Sequence, residues 1–199
     1  MREMSPTPSV RRRPVCETTT VVIVRLVDRS VFRRLRENGP VVLVPLAWTF
    51  VTAVHLGLAS EHALFVAHLV MAGIIVAFTV LSWTEMDAGV LLAWRRVLLA
   101  GLVVTLAGVG GFLVPPAAEV LFAVSVYGWM AIPTAGLAYT GRRVPEAGWV
   151  YLAGAVLGGL GLVGYAVGSA GGWPVVTVAG LGLVTAGQTA GIAEAVYRY

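Results

Sequence analysis

The sequence predicts an all-α polytopic membrane protein: a bundle of six transmembrane helices, arranged as three antiparallel hairpins, with both termini in the cytoplasm. Three observations predict it. Of the 199 residues, 58% are hydrophobic and only 12% are charged, whereas a soluble domain carries about 25% charged residues. Six apolar stretches follow one another, each near the roughly 20 residues that a helix needs to cross about 30 Å of hydrocarbon. The 14 basic residues are all arginines, and they fall only in alternate connections.

Residues 1–39 read as a basic tail. Within it, Arg25, Arg29, Arg33 and Arg36 recur at helical spacing over 21–37, with Val24, Val27, Val31 and Leu35 on the opposing stripe. That pattern predicts an amphipathic helix on an anionic inner leaflet; a solvated helix docked on the membrane domain is the alternative. Arg25 interrupts the apolar run over 21–27, so this start does not read as a cleavable signal peptide. Cys16 is the sole cysteine, which excludes an internal disulfide.

The predicted spans cover about 41–59, 63–82, 97–114, 117–139, 147–168 and 174–193. Helices are expected rather than a barrel, because the runs are continuously apolar and do not alternate. Ser60 and Glu61 join the first pair, Pro115 and Pro116 the third and fourth, and residues 168–173 the last two. Tandem prolines resist helix continuation, which makes the second of these joints a firm break. The segment 85–96 carries Glu85, Asp87, Arg95 and Arg96 and reads as an interfacial loop ahead of the third span.

With the N-terminus inside, the inner segments are 1–39, 83–96, 141–146 and the C-terminus. Together they hold every arginine. The positive-inside rule then places the chain in the cell membrane with N- and C-termini cytoplasmic. The same distribution argues against nucleic acid, which a net charge of +4 would otherwise suggest. The expected partners are the lipid bilayer and either further copies of this chain or another membrane protein. Trp83, Trp94, Trp149, Trp173 and Tyr197 sit at interfacial depth, where amphipathic rings settle. Trp48 and Trp129 lie deeper and are expected to pack between helices.

Histidine offers the sharpest chemical pattern. His55, His62 and His68 all fall in the first hairpin. At 1.5 Å rise per residue, His55 lies about 6 Å and His68 about 9 Å below the outer ends of their helices. Two neutral imidazoles at similar depth suit a haem or transition-metal site. His62 and His68 are six residues apart, about 120° round a helix, so all three do not converge without the loop. The plainer role for His55 and His68 is hydrogen bonding within the bundle, with His62 in water. Both readings stay open on the sequence.

Other polar residues in the spans are few. Pro133 removes a backbone hydrogen bond from the fourth span, and such a break lines a substrate site in some transporters. Gln188 is deep in the sixth span and is expected to bridge helices. Gly154 and Gly158, Gly164 and Gly168, and Gly187 and Gly191 are each four apart, a spacing that lets helix backbones approach closely. They predict a tight fifth and sixth helix, or a dimer face. No catalytic pattern stands in the sequence, no substrate-binding residue can be named, and a mid-span carboxylate of the kind proton-driven transporters use is missing. A non-enzymatic accessory or assembly subunit is the function these features favour. A small-solute transporter or permease, and a haem- or metal-binding redox protein, are the alternatives.

Overall fold

The computed structural model describes residue 39 and residues 41–198. The basic tail, with Arg25, Arg29, Arg33 and Arg36 and the amphipathic segment 21–37, lies outside the described residues. Among those described, every regular element is helical: α1 (Val41–His55), α2 (Glu61–Leu81), α3 (Gly89–Leu113), a 3-10 turn at Pro115–Ala117, α4 (Ala118–Arg143), α5 (Gly148–Gly171) and α6 (Pro174–Arg198). Helices α2 to α6 are long and apolar enough to cross a membrane.

Helices α4 and α6 run past the expected ends at 139 and 193, to Arg143 and Arg198, and two other boundaries differ in kind from the sequence expectation. The first span, expected to reach residue 59, is helical only to His55. Gly57 adopts φ +72°, and the Leu58 N–H donates to the Ala53 carbonyl at 2.9 Å, the pairing by which a left-handed glycine closes a helix. Leu56 and Leu58 are apolar but belong to the turn. As described, α1 is about 22 Å long at 1.5 Å per residue, short of the hydrocarbon thickness. The second difference is the segment 85–96, expected as a loop. Its residues from Gly89 onward are the first turns of α3. Arg95 reaches back from the helix to stack on Trp83, 4.5 Å from the ring centroid, and donates to the Trp83 carbonyl at 3.2 Å. A guanidinium on a long stem can leave the hydrocarbon while its helix continues into it.

The remaining ends follow ordinary rules. Ser60 caps α2 by accepting from the Ala63 N–H at 3.2 Å, and Glu61 sits in the first turn, where the helix dipole favours an acid. Gly172, at φ +65°, ends α5, and Pro174 opens α6.

Helix α4 occupies the centre, packed against α3, α5 and α6, while α2 packs on α3. Trp48 of α1 joins Met130 of α4, Tyr165 of α5 and Leu181 and Val184 of α6 in one buried cluster. A second cluster, Leu137, Ala147 and Tyr151, closes the end that carries Arg95, Arg96, Arg142 and Arg143, called here the arginine end. The outer faces are apolar: Val156, Leu160, Val163 and Val167 form one exposed stripe on α5, a surface suited to lipid.

The tightest pair is α5 with α6. A Cβ on Gly161 would lie 2.6 Å from the Gly180 carbonyl oxygen and 2.7 Å from the Val184 nitrogen. One on Gly154 would lie 2.6 Å from the Gly187 carbonyl oxygen, and Gly168 abuts Thr177. Gly154, Gly161 and Gly168 are seven apart, as are Gly180 and Gly187. The seam therefore repeats every seventh residue. A Cβ on Gly158 or Gly191 would meet Thr134 or Leu137 of α4 instead and one on Gly164 only an ordinary contact at 3.5 Å, while the Gly158 and Gly164 backbones themselves lie 3.0 Å from a Cβ on Gly187 and on Gly180.

Gly161→Ala is expected to lower the unfolding free energy in detergent by about 1–3 kcal/mol, because the added methyl meets backbone that cannot rotate away. Gly159→Ala, where nothing lies within 4 Å, should leave the thermal midpoint unchanged or raise it, since alanine favours a helix interior over glycine. Equal midpoints for the two variants would refute the seam.

Candidate functional site

Pro133 stands inside α4 and has no N–H to give the carbonyl of Trp129, four residues back. In lipid no water can take its place. Gln188 of α6 does: its Nε2 donates to the Trp129 carbonyl at 3.1 Å and to the Met130 carbonyl at 3.4 Å. Its Oε1 accepts from the Trp48 indole N–H of α1 at 2.9 Å. Gln188 is 2% exposed, so one buried amide ties three helices together. The Trp129 indole turns the other way and donates to Thr105 of α3 at 2.9 Å, and Thr105 donates to the Gly101 carbonyl at 2.8 Å. Pro133 is buried beneath this bridge, and the carbonyl it frees is already engaged.

The histidines sit towards the opposite end from the arginines. His55 Nδ1 pairs with the Val51 carbonyl at 2.9 Å. A carbonyl only accepts, so in the neutral ring Nδ1 carries the proton and Nε2 accepts from the Tyr165 hydroxyl at 2.9 Å. The rings of His55 and Tyr165 meet edge to face at 5.4 Å, and Tyr127 meets Tyr165 likewise at 5.3 Å. His55 also lines a cavity of about 250 Å3, with Ser169, Trp173 and Thr177 among its walls.

His68 repeats the arrangement with different partners. Its Nδ1 pairs with the Leu64 carbonyl at 2.9 Å. Its Nε2 faces the Ser125 hydroxyl of α4 at 3.5 Å, the outer limit of a hydrogen bond. Phe112 covers the ring edge to face at 5.8 Å. The ring passes directly over Gly108, where any side chain would collide with it. His62 is exposed in the first turn of α2.

The imidazoles of His55 and His68 thus go to different places, His55 from the exposed end of α1 to α5 and His68 to α3 and α4, and His62 joins neither. Among the described residues no group of three or more His, Cys, Asp or Glu is arranged to hold a metal ion. A proton on Nδ1 fixed by a carbonyl is what a ligating imidazole usually has. To ligate through Nε2, however, each ring would have to give up its hydroxyl partner.

A lipid-facing groove of about 750 Å3 runs between α1 and α6, lined by Thr49, Thr52, Thr185 and Thr189 among small and apolar residues. Thr49, Thr52 and Thr185 donate to carbonyls four residues back at 2.8, 2.9 and 2.7 Å. That leaves their methyl groups to the groove.

The chain matches no family model, no curated protein and no solved structure among those it was compared with. The sites above therefore rest on geometry alone.

Gln188→Leu should strand the Trp129 carbonyl and the Trp48 indole N–H, at a cost of about 1–3 kcal/mol. In a Pro133→Ala background α4 regains its own N–H for that carbonyl, so the same substitution should cost measurably less. Additive costs in a double-mutant cycle, read by thermal denaturation in detergent, would show that the two residues are not coupled.

Proposed function

We propose that the chain is a multi-pass cell-membrane protein with cytoplasmic termini that acts as a non-enzymatic accessory or assembly subunit. The observation carrying this reading is the Trp48–Gln188–Trp129 bridge. The deepest polar groups, which a solute path would have to present to its cargo, are spent on joining helices. Most other polar side chains of the spans behave alike. Trp94 of α3 donates to Thr140 of α4 at 3.0 Å, His55 holds Tyr165, and Thr49, Thr52 and Thr185 bond their own helices; the buried hydroxyls of Thr79 and Thr189 are the exceptions, with no partner among the described residues. What remains for a partner is shape and apolar surface, the means by which membrane subunits associate.

Orientation rests on the arginines. Arg95 and Arg96 lie in the first turns of α3 and Arg142 and Arg143 in the last turn of α4, at the helix ends that alternate with arginine-free ones, and arginine-rich ends stay in the cytoplasm. The tail with Arg25, Arg29, Arg33 and Arg36 would then meet the anionic inner leaflet.

A haem- or transition-metal-binding role is the second reading. The observation in its favour is that His55 and His68 both hold Nδ1 against a carbonyl, which leaves Nε2 as the proton-free nitrogen of the neutral ring.

Purification from membranes in mild detergent tests the first reading. A membrane protein at fixed stoichiometry is expected, retained when His55 and His68 are both replaced by alanine. A Soret band or bound transition metal that disappears in that double variant would establish the second reading instead. Uptake of a solute by proteoliposomes above that of empty vesicles would overturn the first. For topology, in a Cys16→Ser background, a cysteine at Ser60 should react with an impermeant thiol reagent in intact cells. One at Pro145 should react only after permeabilisation; labelling from outside at Pro145 would reverse the orientation.

A further inference from the structure

We infer that the arginine end of the bundle holds a specific site for an anionic phospholipid, with its headgroup on Arg95 and Trp83 and an acyl chain along α3. The inference goes beyond the accessory role and does not depend on it.

The Trp94 hydrogen bond to Thr140 ties the first turns of α3 to the last turns of α4. It thereby gathers Arg95 and Arg96 beside Arg142 and Arg143 at one end of one helix pair. Arg95 is not free to wander: its guanidinium carbon lies 4.5 Å from the Trp83 centroid, and Nη1 donates to the Trp83 carbonyl. Both of these interactions leave the charge uncompensated, because a ring face and a carbonyl bring no formal negative charge. The remaining N–H groups of the fork match a phosphate. Trp83 is itself about half exposed, which is how an indole sits at headgroup level.

The surface below the guanidinium identifies the ligand as lipid rather than free phosphate. Leu99, Val103 and Leu106 follow Arg95 at helical spacing and are all exposed, so they line one face of α3 running from the charge into the hydrocarbon. Leu81 and Val80, at the end of α2 beside Trp83, are exposed too. Headgroup contact and chain contact are thus stacked in the order that a phospholipid presents them. Glu85, Asp87 and Glu146 share the same connections and offset part of the positive charge. Net charge therefore does not define the site; the prepositioned Arg95 and the stripe beneath it do.

The comparison site on α4 makes the inference separable from bulk electrostatics. Arg143 lies 5.2 Å over the Tyr139 ring, but the α4 residues that follow on that face, Ala135 and Ala131, offer an acyl chain little to lie against.

The test is native mass spectrometry of the full chain, delipidated in detergent and titrated with phosphatidylglycerol or phosphatidylcholine. Phosphatidylglycerol is expected to bind about tenfold more tightly, the scale of one charge-assisted hydrogen bond. Arg95→Gln should abolish that preference, and Arg143→Gln, which removes the same charge, should keep it. Thermal midpoints of the two variants establish that both are folded; should Arg95→Gln not fold, Trp83→Leu is read in its place. Equal binding of the two lipids, or equal loss in both arginine variants, would overturn the site. Competition by glycerol phosphate, which has no acyl chains, would reassign it to a soluble phosphate.

Discussion

A backbone carbonyl in hydrocarbon must find a donor, and the arrangement of α1, α4 and α6 follows from that constraint at one residue. Pro133 leaves the Trp129 carbonyl without its helical partner, and the Gln188 amide supplies the replacement. An amide has two ends, and the other end must also be satisfied once it is buried. The Trp48 indole answers it. Three helices are thereby fixed in register by one proline, and the mutual dependence is strict: without Gln188 the proline is a defect, and without the proline the amide loses its best acceptor.

The α5–α6 seam solves a different problem. Between two apolar helices in lipid, burial of side chains gains little over contact with acyl chains. Attraction must then come from close approach of backbone to backbone. Gly154 with Gly187 and Gly161 with Gly180 allow it. The same glycines remove side chains that would have covered the carbonyls, so each helix presents bare backbone to the other. Where α4 enters, Gly158 and Gly191 receive Thr134 and Leu137, which locks the pair against the central helix.

How much of this was legible in the sequence differs by kind. The spans were, because hydropathy is local: the break at Pro115–Pro116 and the start of α6 fell where expected. The start of α3 was not, because hydropathy takes Arg95 and Arg96 as an interruption and does not see that Arg95 lies back over Trp83. The end of α1 was not either, since Leu56 and Leu58 are as apolar as the helix before them and only the left-handed Gly57 marks the turn. Among glycines, the four-residue pairs drew attention, while Gly161 and Gly180 went unread. The seven-residue interval from Gly154 through Gly161 to Gly168 is plain in the chain once the antiparallel pairing with α6 is known. At the histidines neither depth nor direction was fully legible: His55, expected about a turn inside its span, is the exposed last residue of α1. Two residues expected at similar height on consecutive helices suggest a pair, yet the neighbours of each ring depend on where α1 ends and which helices adjoin, and no single helix encodes that.

One regularity connects the polar contacts. Trp48 meets Gln188, Trp129 meets Thr105, Trp94 meets Thr140, His55 meets Tyr165 and His68 faces Ser125. Each contact pairs an aromatic N–H or imidazole nitrogen on one helix with a hydroxyl or amide on another. An indole or imidazole spans the distance between two helix axes with few rotatable bonds, so little entropy is lost in fixing it. It also presents mostly apolar surface along the way. A charged pair of equal reach would carry the desolvation cost of two ions into the hydrocarbon. Rigid aromatic bridges at the helix contacts, with bare backbone along the seam between α5 and α6 and where Gly141 meets Gly148, are therefore how a chain with so few charges in its spans specifies a single helix arrangement. The same economy explains why the described charges keep to helix ends and connections, with the arginines at one end, where a guanidinium can still meet water or a phosphate.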